Sequence, residues 1–285
     1  MSSLPEYRLL TRPELDEVLS WAATEGWNPG LADADAFWAA DPAGFHGMFL
    51  DGQLIGSASA VSYGGKLGFV GLFIVRPEFR SRGLGGAFWS YFIQHLETRL
   101  APGAPMALDG VFARQAFYAR GGFVLSHRNL RMEGIGAASL VRDRHVIELS
   151  RLPQEAVETL DTVHFGVPRP AFLESWLRPP GGLALGWLSD RVRGYGVIRP
   201  CQNGFKIGPL FAETPRIADA LFQALSAHAA GKPIFLDTPE NNPAALALAN
   251  RHGLREVFGC ARMIRGVPLA LPWHQIFGVT TFELG

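Results

Sequence analysis

The residues Gly68–Gly86, GFVGLFIVRPEFRSRGLGG, decide the fold of this chain. The first part of the stretch, Gly68–Val75, has no polar side chain, which predicts a strand that is buried on both faces. After the loop, apolar side chains recur every four residues and predict an amphipathic helix. They are Leu84, Phe88, Phe92 and Leu96. The stretch therefore predicts a buried strand, a loop rich in arginine and glycine, and a helix.

The loop has the composition of an anion-binding site. Backbone N–H groups of Arg82–Gly86 can converge on phosphate oxygens at the helix N-terminus, where the helix dipole favours negative charge. The glycines Gly83, Gly85 and Gly86 let a bulky diphosphate approach the backbone without a Cβ clash. Arg80 and Arg82 add long-range attraction. The loop matches neither GxxxxGK[ST] nor GxGxxG.

The rest of the chain reads as two copies of one unit. In each copy a short strand precedes a helix, two strands flank a glycine-containing turn, and a strand that ends on Leu-Asp leads into another helix. The matched stretches are Tyr7–Leu19 with Val146–Leu160, Gly52–Val75 with Arg193–Ala212, and Leu108–Phe123 with Leu236–Leu254. An Arg-Met pair, at Arg131 and at Arg262, begins nine residues after Gly122 and Gly253 respectively.

This repeat predicts an α/β fold with two tandem domains, each a mixed central sheet flanked by helices. We expect one domain at residues 1–135 and the other at residues 145–266. The segment 134–143, GIGAASLVRD, has the small residues of a flexible linker. The tail at residues 267–285 alternates like a strand and is expected to join one of the two sheets.

The composition narrows the classes of function. The 285 residues include 26 basic and 26 acidic side chains, a balance that argues against binding to nucleic acid or to an anionic membrane by charge. No apolar run approaches the ~20 residues of a membrane-spanning helix. The N-terminus lacks the pattern of a signal peptide, so a cytoplasmic location is expected. The eight histidines form no metal-ligand pattern, and no metal is expected.

Two motifs carry a resemblance to a known family. Arg80-x-x-Gly83-x-Gly85, which follows Phe73-Ile74-Val75, and Tyr118-x-x-x-Gly122-Phe123 resemble motifs of the GNAT N-acetyltransferase superfamily. More narrowly, EGWNPG, DPAGF, LDGVFARQ and HRNLRMEG resemble tandem-GNAT proteins, and IGPLFA and LDTPENNPAA resemble their companion domain. The resemblance covers nearly the whole chain and implies a fold and a reaction class, but no substrate.

By this resemblance the co-substrate is acetyl-CoA. The strand that ends at Phe73, Ile74 and Val75 is implied to splay from its neighbour and to pair with the pantetheine arm. The pyrophosphate is assigned to the loop, whose residues are Arg80, Ser81, Arg82, Gly83, Leu84, Gly85 and Gly86. Tyr118 stands at the family's position for the general acid that protonates the departing thiolate, a role typically worth ~10²–10⁴ in rate. The alternative for Tyr118 is a packed aromatic side chain.

The attacking amine must lose a proton, which at pH 7 costs about 4.6 kcal/mol for a lysine-like amine. Many relatives carry a glutamate on the strand before the loop, whereas Gly68–Val75 has no acid. Asp109, at the end of the next strand, is the candidate base in its place. The alternative is a structural role, because the second copy has Asp237 at the same point.

The acceptor is expected, by resemblance, against the early helices and their loop. Candidate contacts are Glu25, Trp27 and Asn28, since carboxylates beside an indole can receive a cation. The region also holds Asp33, Asp35 and Asp41. The alternative is a solvated acidic loop beside a buried tryptophan.

Two functions follow for the whole chain. The first is an enzyme that moves an acetyl group from acetyl-CoA to a primary amine, in a small molecule or a protein, by direct attack in a ternary complex. The second is a non-catalytic acyl-CoA sensor or interaction module, and a different acyl group also stays open. The second copy lacks the Arg-x-x-Gly-x-Gly loop and has Ala249 opposite Tyr118, so we expect it to bind no CoA and to wall or support the first.

Overall fold

The computed structural model describes residues 4–138 and 143–285, so residues 139–142 of the predicted linker lie outside the described residues. The first half contains β1 (Glu6–Leu9), α1 (Arg12–Thr24), α2 (Asp33–Ala40), β2 (Phe45–Leu50), β3 (Gln53–Tyr63), β4 (Leu67–Val75), α3 (Leu84–Thr98), β5 (Met106–Val111), α4 (Gln115–Arg120) and β6 (Val124–Ile135). The second half contains β7 (Val146–Glu148), α5 (Glu155–Phe165), α6 (Pro170–Trp176), β8 (Leu183–Leu188), β9 (Val192–Pro200), β10 (Phe205–Ala212), α7 (Pro215–His228), β11 (Pro233–Pro239), α8 (Pro243–Arg251), β12 (Arg255–Arg265) and β13 (Ile276–Gly278). Up to β12 the two halves have the same order of elements, which confirms the predicted α/β repeat.

Residues at the N-termini of α1 and α7 form the capping hydrogen bonds that favour the start of a helix. At the start of α1, the Thr11 backbone N–H donates to Glu14 Oε2 at 2.7 Å, which satisfies one of the free donors at a helix N-terminus. At the start of α7, Thr214 Oγ1 accepts from the Ile217 backbone N–H at 3.3 Å.

Each half buries its long helix against the sheet. Phe88, Phe92 and Leu96 on α3 are fully buried, as are Leu221 and Leu225 on α7. Burial of an apolar side chain of this size contributes ~1.5–3 kcal/mol. None of the helices in residues 4–138 and 143–285 is both long enough and apolar enough to cross a membrane.

The strands of the described residues form one mixed sheet in which the two halves exchange their last strands. The order is β1-β2-β3-β4-β5-β12-β6-β11-β10-β9-β8-β7, with β13 beside β10. The strand β12 pairs antiparallel with β5, and β6 pairs antiparallel with β11. Each half of the sheet therefore takes its last strand from the other repeat, so neither of the expected domains at 1–135 and 145–266 contains all the strands of its half of the sheet.

Two reciprocal buried ion pairs accompany the exchange. Arg262 on β12 lies opposite Asp109 on β5, with Nη2 2.6 Å from Oδ2. Arg131 on β6 lies opposite Asp237 on β11, with Nε 2.7 Å from Oδ1. The repeated Leu-Asp and Arg-Met pairs of the sequence are thus partners across the two halves.

The parallel strands β4 and β5 separate after three paired residues. The register runs from Gly68 opposite Met106 to Val70 opposite Leu108. On its other side, β4 stays paired with β3 as far as Val75, across a register shift next to Leu72, whose φ is 47°. Beyond Val70 an opening therefore lies between β4 and β5, which is the splay that the family resemblance implied.

The equivalent opening in the second half contains another strand. β10 and β11 pair in parallel from Phe205 opposite Ile234 to Ile207 opposite Leu236. Beyond this point β13, from the predicted strand-like tail, pairs antiparallel with β10, and the next residue, Val279, donates from its backbone N–H to the Asp237 carbonyl at 2.8 Å. The tail therefore joins the sheet of the second half and fills its opening.

Candidate active site

The opening between β4 and β5 widens into a cavity of about 330 Å³. Its walls come from β4, the loop before α3, β5, α4, the end of α1, β12 and the residues after β13. The lining residues from the predicted site are Glu25, Trp27, Phe73, Ile74, Val75, Arg80, Ser81, Gly83, Leu84, Gly85, Gly86, Asp109 and Tyr118. The structure therefore brings together most of the residues that the sequence singled out.

The loop before α3 has the backbone of a helix N-terminus that is open to the cavity. Ser81 and Gly83 have left-handed φ angles of 62° and 75°, and α3 begins at the next residue, Leu84. An ideal Cβ on Gly85 would lie 3.6 Å from Phe73 Cζ, and one on Gly86 would meet no atom within 4 Å. Free backbone N–H groups at this position favour an anion.

The two loop arginines have different surroundings. Arg80 donates from Nε to the Val75 carbonyl at 2.7 Å, and its Nη2 forms an ion pair with Glu25 at the end of α1. Arg82 is not among the lining residues, and its guanidinium lies 5.2 Å from the centre of the Phe79 ring. Of these two loop arginines, only Arg80 therefore lines the cavity, and its ion pair with Glu25 also links the loop to the end of α1.

Tyr118 on α4 is held in one orientation by its neighbours. Its ring packs 5.5 Å from the ring of Trp89, and only a glycine fits at Gly110, because a Cβ there would lie 2.2 Å from Tyr118 Cε2. The residue is 8% exposed, and burial raises its pKa to about 12. The phenol therefore carries its proton at neutral pH, as a general acid must.

Asp109 has no free oxygen for a proton. Oδ1 accepts from Asn129 Nδ2 at 2.8 Å and from Arg262 Nε at 2.9 Å, while Oδ2 accepts from Arg262 Nη2 at 2.6 Å. A carboxylate that is bound in this way stabilises the junction of β5 and β12. These contacts argue against Asp109 as the base and favour its structural alternative.

The candidate acceptor contacts divide into two groups. Glu25 and Trp27 line the cavity. Asn28 is not among the lining residues and instead contacts the second half. Its Nδ2 donates to the Asn203 carbonyl at 3.0 Å, and its Oδ1 accepts from the Asn203 backbone N–H at 2.9 Å. The other three acids of the region bind arginines, in the pairs Asp33–Arg199, Asp35–Arg12 and Asp41–Arg99.

Several lining residues were not singled out from the sequence, and Glu283 is the one acid among them. Glu283 lies in the tail, where no motif surrounds it, and it reaches the cavity only because the chain runs on from β13 to the first half. It is 3% exposed. Within the residues that the structure describes, neither of its carboxylate oxygens has a hydrogen-bond partner.

The remaining chemistry of the cavity is limited. Cys260 lines it, but burial raises the pKa of the thiol well above its ordinary value, so the side chain is not a thiolate nucleophile. Across the described part of the chain, no group of three or more His, Cys, Asp or Glu residues is arranged to hold a metal ion.

Comparisons with known proteins match both halves of the chain. A model described as the acetyltransferase (GNAT) family matches residues 12–123, and one described as an acetyltransferase (GNAT) domain matches residues 157–278. A curated relative, the holothin acyltransferase of Pseudoalteromonas sp. (strain SANK 73390), is 28% identical over 271 residues, which cover 94% of this chain and 90% of that protein.

Solved structures share the fold at low sequence identity. A Pyrococcus horikoshii protein assigned to the acetyltransferases superposes with a TM-score of 0.83 at 23% identity, covering 99% of this chain and 96% of that one. A tandem GNAT protein from the clavulanic acid biosynthesis pathway gives a TM-score of 0.62 at 14% identity, covering 93% and 99%. Both halves thus carry a GNAT domain, and the chain belongs to the GNAT superfamily as a tandem-domain acyltransferase.

Proposed function

We propose that the protein transfers an acetyl group from acetyl-CoA to a primary amine by direct attack within a ternary complex. The observation that carries this proposal is the opening between β4 and β5, which lies beside the open N-terminus of α3 and a buried, protonated Tyr118. Free backbone groups on β4 suit the amides of a pantetheine arm, and the α3 N-terminus suits a diphosphate.

Direct attack is favoured over a covalent intermediate. A covalent route needs an activated nucleophile, and the cysteine in the cavity is held as a buried thiol. Tyr118 can instead protonate the CoA sulfur as the amine displaces it, because burial keeps the phenol protonated and ready to donate while negative charge develops on the leaving group.

We further propose that only the first half binds CoA. In the second half β13 occupies the opening that would receive pantetheine, and Thr214 at the start of α7 follows β10 without a glycine-rich loop. Phe258 and Cys260 from β12, together with Phe282 and Glu283 from the tail, line the cavity of the first half. The second repeat thus supplies one wall of the acceptor pocket.

Calorimetric titration with acetyl-CoA tests the proposal. We expect one site per chain. We also expect Gly85→Glu to abolish binding, since a carboxylate in the first turn of α3 would repel the phosphates of CoA. Ser90→Glu is the matched control, because it adds the same charge on an exposed part of the same helix. Two sites would contradict the assignment of CoA to the first half alone, and no binding would contradict the whole proposal.

Transfer is then measured as release of the CoA thiol in the presence of primary amines. The panel should include alkyl amines, peptide α-amines, weakly basic amines and, because a relative is named for it, holothin. An acyl-CoA sensor that acylates nothing would bind acetyl-CoA and release no thiol with any of these amines.

A further inference from the structure

The segment that follows β13 crosses from the second half to the first and is fixed there by its backbone. Ser59 Oγ donates to the Glu283 carbonyl at 3.3 Å, and the Tyr63 hydroxyl donates to the Leu284 carbonyl at 2.9 Å. An ideal Cβ on Gly71 would lie 2.1 Å from the Glu283 carbonyl oxygen, so only glycine leaves room for the tail at this point of β4. The tail is therefore an integral wall of the cavity.

The carboxylate of Glu283 differs from every other buried acid in the described residues. The four buried aspartates each bind an arginine, in the pairs Asp33–Arg199, Asp41–Arg99, Asp161–Arg169 and Asp237–Arg131. Glu283 forms no such pair, and the residue is among those that line the cavity. Burial of an ionisable group without a partner is costly, and such an arrangement is characteristic of groups that act on a ligand.

Glu283 is also the one acid in the described cavity wall that has both oxygens free. Glu25 is paired with Arg80, and Asp109 is held by Arg262 and Asn129. The chemistry of the proposed function requires a group that removes a proton from the acceptor nitrogen. Of the three acids in the described cavity wall, Glu283 alone has no hydrogen-bond or ion-pair partner that competes for such a proton.

We propose that Glu283 is the general base of the acyl transfer, supplied to the active site of the first half by the tail of the second. This inference rests on the proposed function. The acceptor enters as an ammonium ion, and Glu283 takes one of its protons. The neutral nitrogen attacks the thioester carbon, a C–N bond forms, and the C–S bond breaks.

The protons of the reaction balance without a further reactant. The departing thiolate takes the proton of Tyr118. The nitrogen, now bonded to the acetyl carbon, gives its second proton to the Tyr118 oxygen and becomes a neutral amide. Glu283 then releases its proton to solvent, so the net products are the amide, CoA thiol and one proton.

Other ionisable groups face Glu283 from the neighbouring strands. They are Arg131 on β6, Lys206 on β10, Arg199 on β9 and Cys260 on β12. The two arginines are engaged by Asp237 and Asp33. Lys206 is 1% exposed, its Nζ has no hydrogen-bond partner among the described residues, and burial lowers its pKa. The pH dependence of Glu283→Gln must therefore be compared with that of the wild type under identical conditions.

The test compares Glu283→Gln and Glu283→Asp with the control Glu155→Gln, which removes an exposed acid on α5. We expect Glu283→Gln to lower kcat for an alkyl amine by ~10²–10⁴ and to leave the Kd for acetyl-CoA unchanged. With the alkyl amine, the rate of this variant should rise with pH toward the ordinary pKa of the amine, because only amine that is already neutral can attack. Glu283→Asp, which keeps the carboxylate, should recover part of the rate, and Glu155→Gln should match the wild type.

A weakly basic amine that is neutral at pH 7 separates a base from a structural role. Because its proton is already lost, we expect Glu283→Gln to slow it at least tenfold less than the alkyl amine, whereas a distorted pocket would slow both amines equally. If wild type is active and Glu283→Gln keeps its kcat and pH profile, the role of Glu283 is overturned and the proposed function stands. If wild type binds acetyl-CoA but acylates no amine, the proposed function fails and the role of Glu283 fails with it.

Discussion

At the scale of single residues, the environment of Tyr118 determines the chemistry that it can perform. Burial raises its pKa to about 12, so the phenol stays protonated in neutral and mildly alkaline solution. An acid with this pKa does not limit activity in neutral or mildly alkaline solution, and no alkaline limb from Tyr118 is expected in that range.

Tyr118→Phe tests this assignment. We expect kcat to fall by ~10²–10⁴ while the Kd for acetyl-CoA stays within twofold of the wild-type value, because the ring and its packing against Trp89 are preserved. The measurements are steady-state thiol release and calorimetry. Tyr91→Phe is the control, since Tyr91 lies on α3 against Tyr7 and away from the cavity. Unchanged turnover in Tyr118→Phe would rule out the acid role.

The sequence predicted some of these residues better than others, for physical reasons. The residues Arg80–Gly86 and Tyr118 could be singled out because each belongs to a short motif of residues that are close together in the chain. Asp109 was a candidate base with a structural role as its alternative, and the sequence could not decide between them because the partner, Arg262, lies far away in the chain. Glu283 was missed because its position depends on the path of the whole tail, which no local pattern encodes.

At the scale of elements, the exchanged strands depend on their buried ion pairs. The Arg131–Asp237 pair is almost inaccessible to solvent and joins β6 to β11. Removal of one partner leaves an uncompensated buried charge, which typically costs 3–5 kcal/mol.

We expect Asp237→Asn to lower the free energy of unfolding by roughly 3–5 kcal/mol, as measured by urea denaturation. Glu240→Gln is the matched control. Glu240 directly follows β11 and forms an exposed ion pair with Arg128 on β6, so this variant removes the acid of a solvent-accessible pair between the same two strands. Its cost should stay within about 1 kcal/mol. Equal losses in the two variants would show that the buried pair is not a special contributor.

The strands and helices themselves were predictable, whereas the neighbours of two strands were not. Apolar periodicity and Gly-containing turns indicated β3, β4, β9 and β10, and α3 followed from its four-residue spacing. Nothing in the pattern of β6 or β12 distinguishes pairing within a repeat from pairing across repeats, because both alternatives bury the same side chains against a β5-like edge. The reciprocal ion pairs became visible only when the strands were seen side by side.

At the scale of the whole molecule, the two repeats form one folding unit. Besides the exchanged strands, Asp33 binds Arg199 and Asn28 binds Asn203 across the halves. A fragment of residues 1–138 would lack β12 beside β5 and both neighbours of β6, and the strand edges that it exposes promote aggregation.

We expect the fragment of residues 1–138 to show no cooperative thermal unfolding by circular dichroism and no transfer activity. Co-expression with residues 139–285 should restore a folded complex that binds acetyl-CoA. The intact chain, expressed in parallel, is the control. A monomeric 1–138 fragment that unfolds cooperatively and retains full activity would mean that the exchange and the tail are dispensable.

The exchanged strands also determine when the protein can mature on the ribosome. A chain emerges from its N-terminus, and an independent domain can fold as soon as its last residue has left the exit tunnel. Here β5 cannot pair with β12, and Glu283 cannot line the cavity, until the second repeat and the tail have been synthesised. The first repeat therefore stays incomplete during synthesis of the second. Such distant pairing slows folding. An unfinished chain would therefore contain the loop that we assign to CoA, yet it would lack both the strand that pairs with β5 and the carboxylate that we assign to proton transfer.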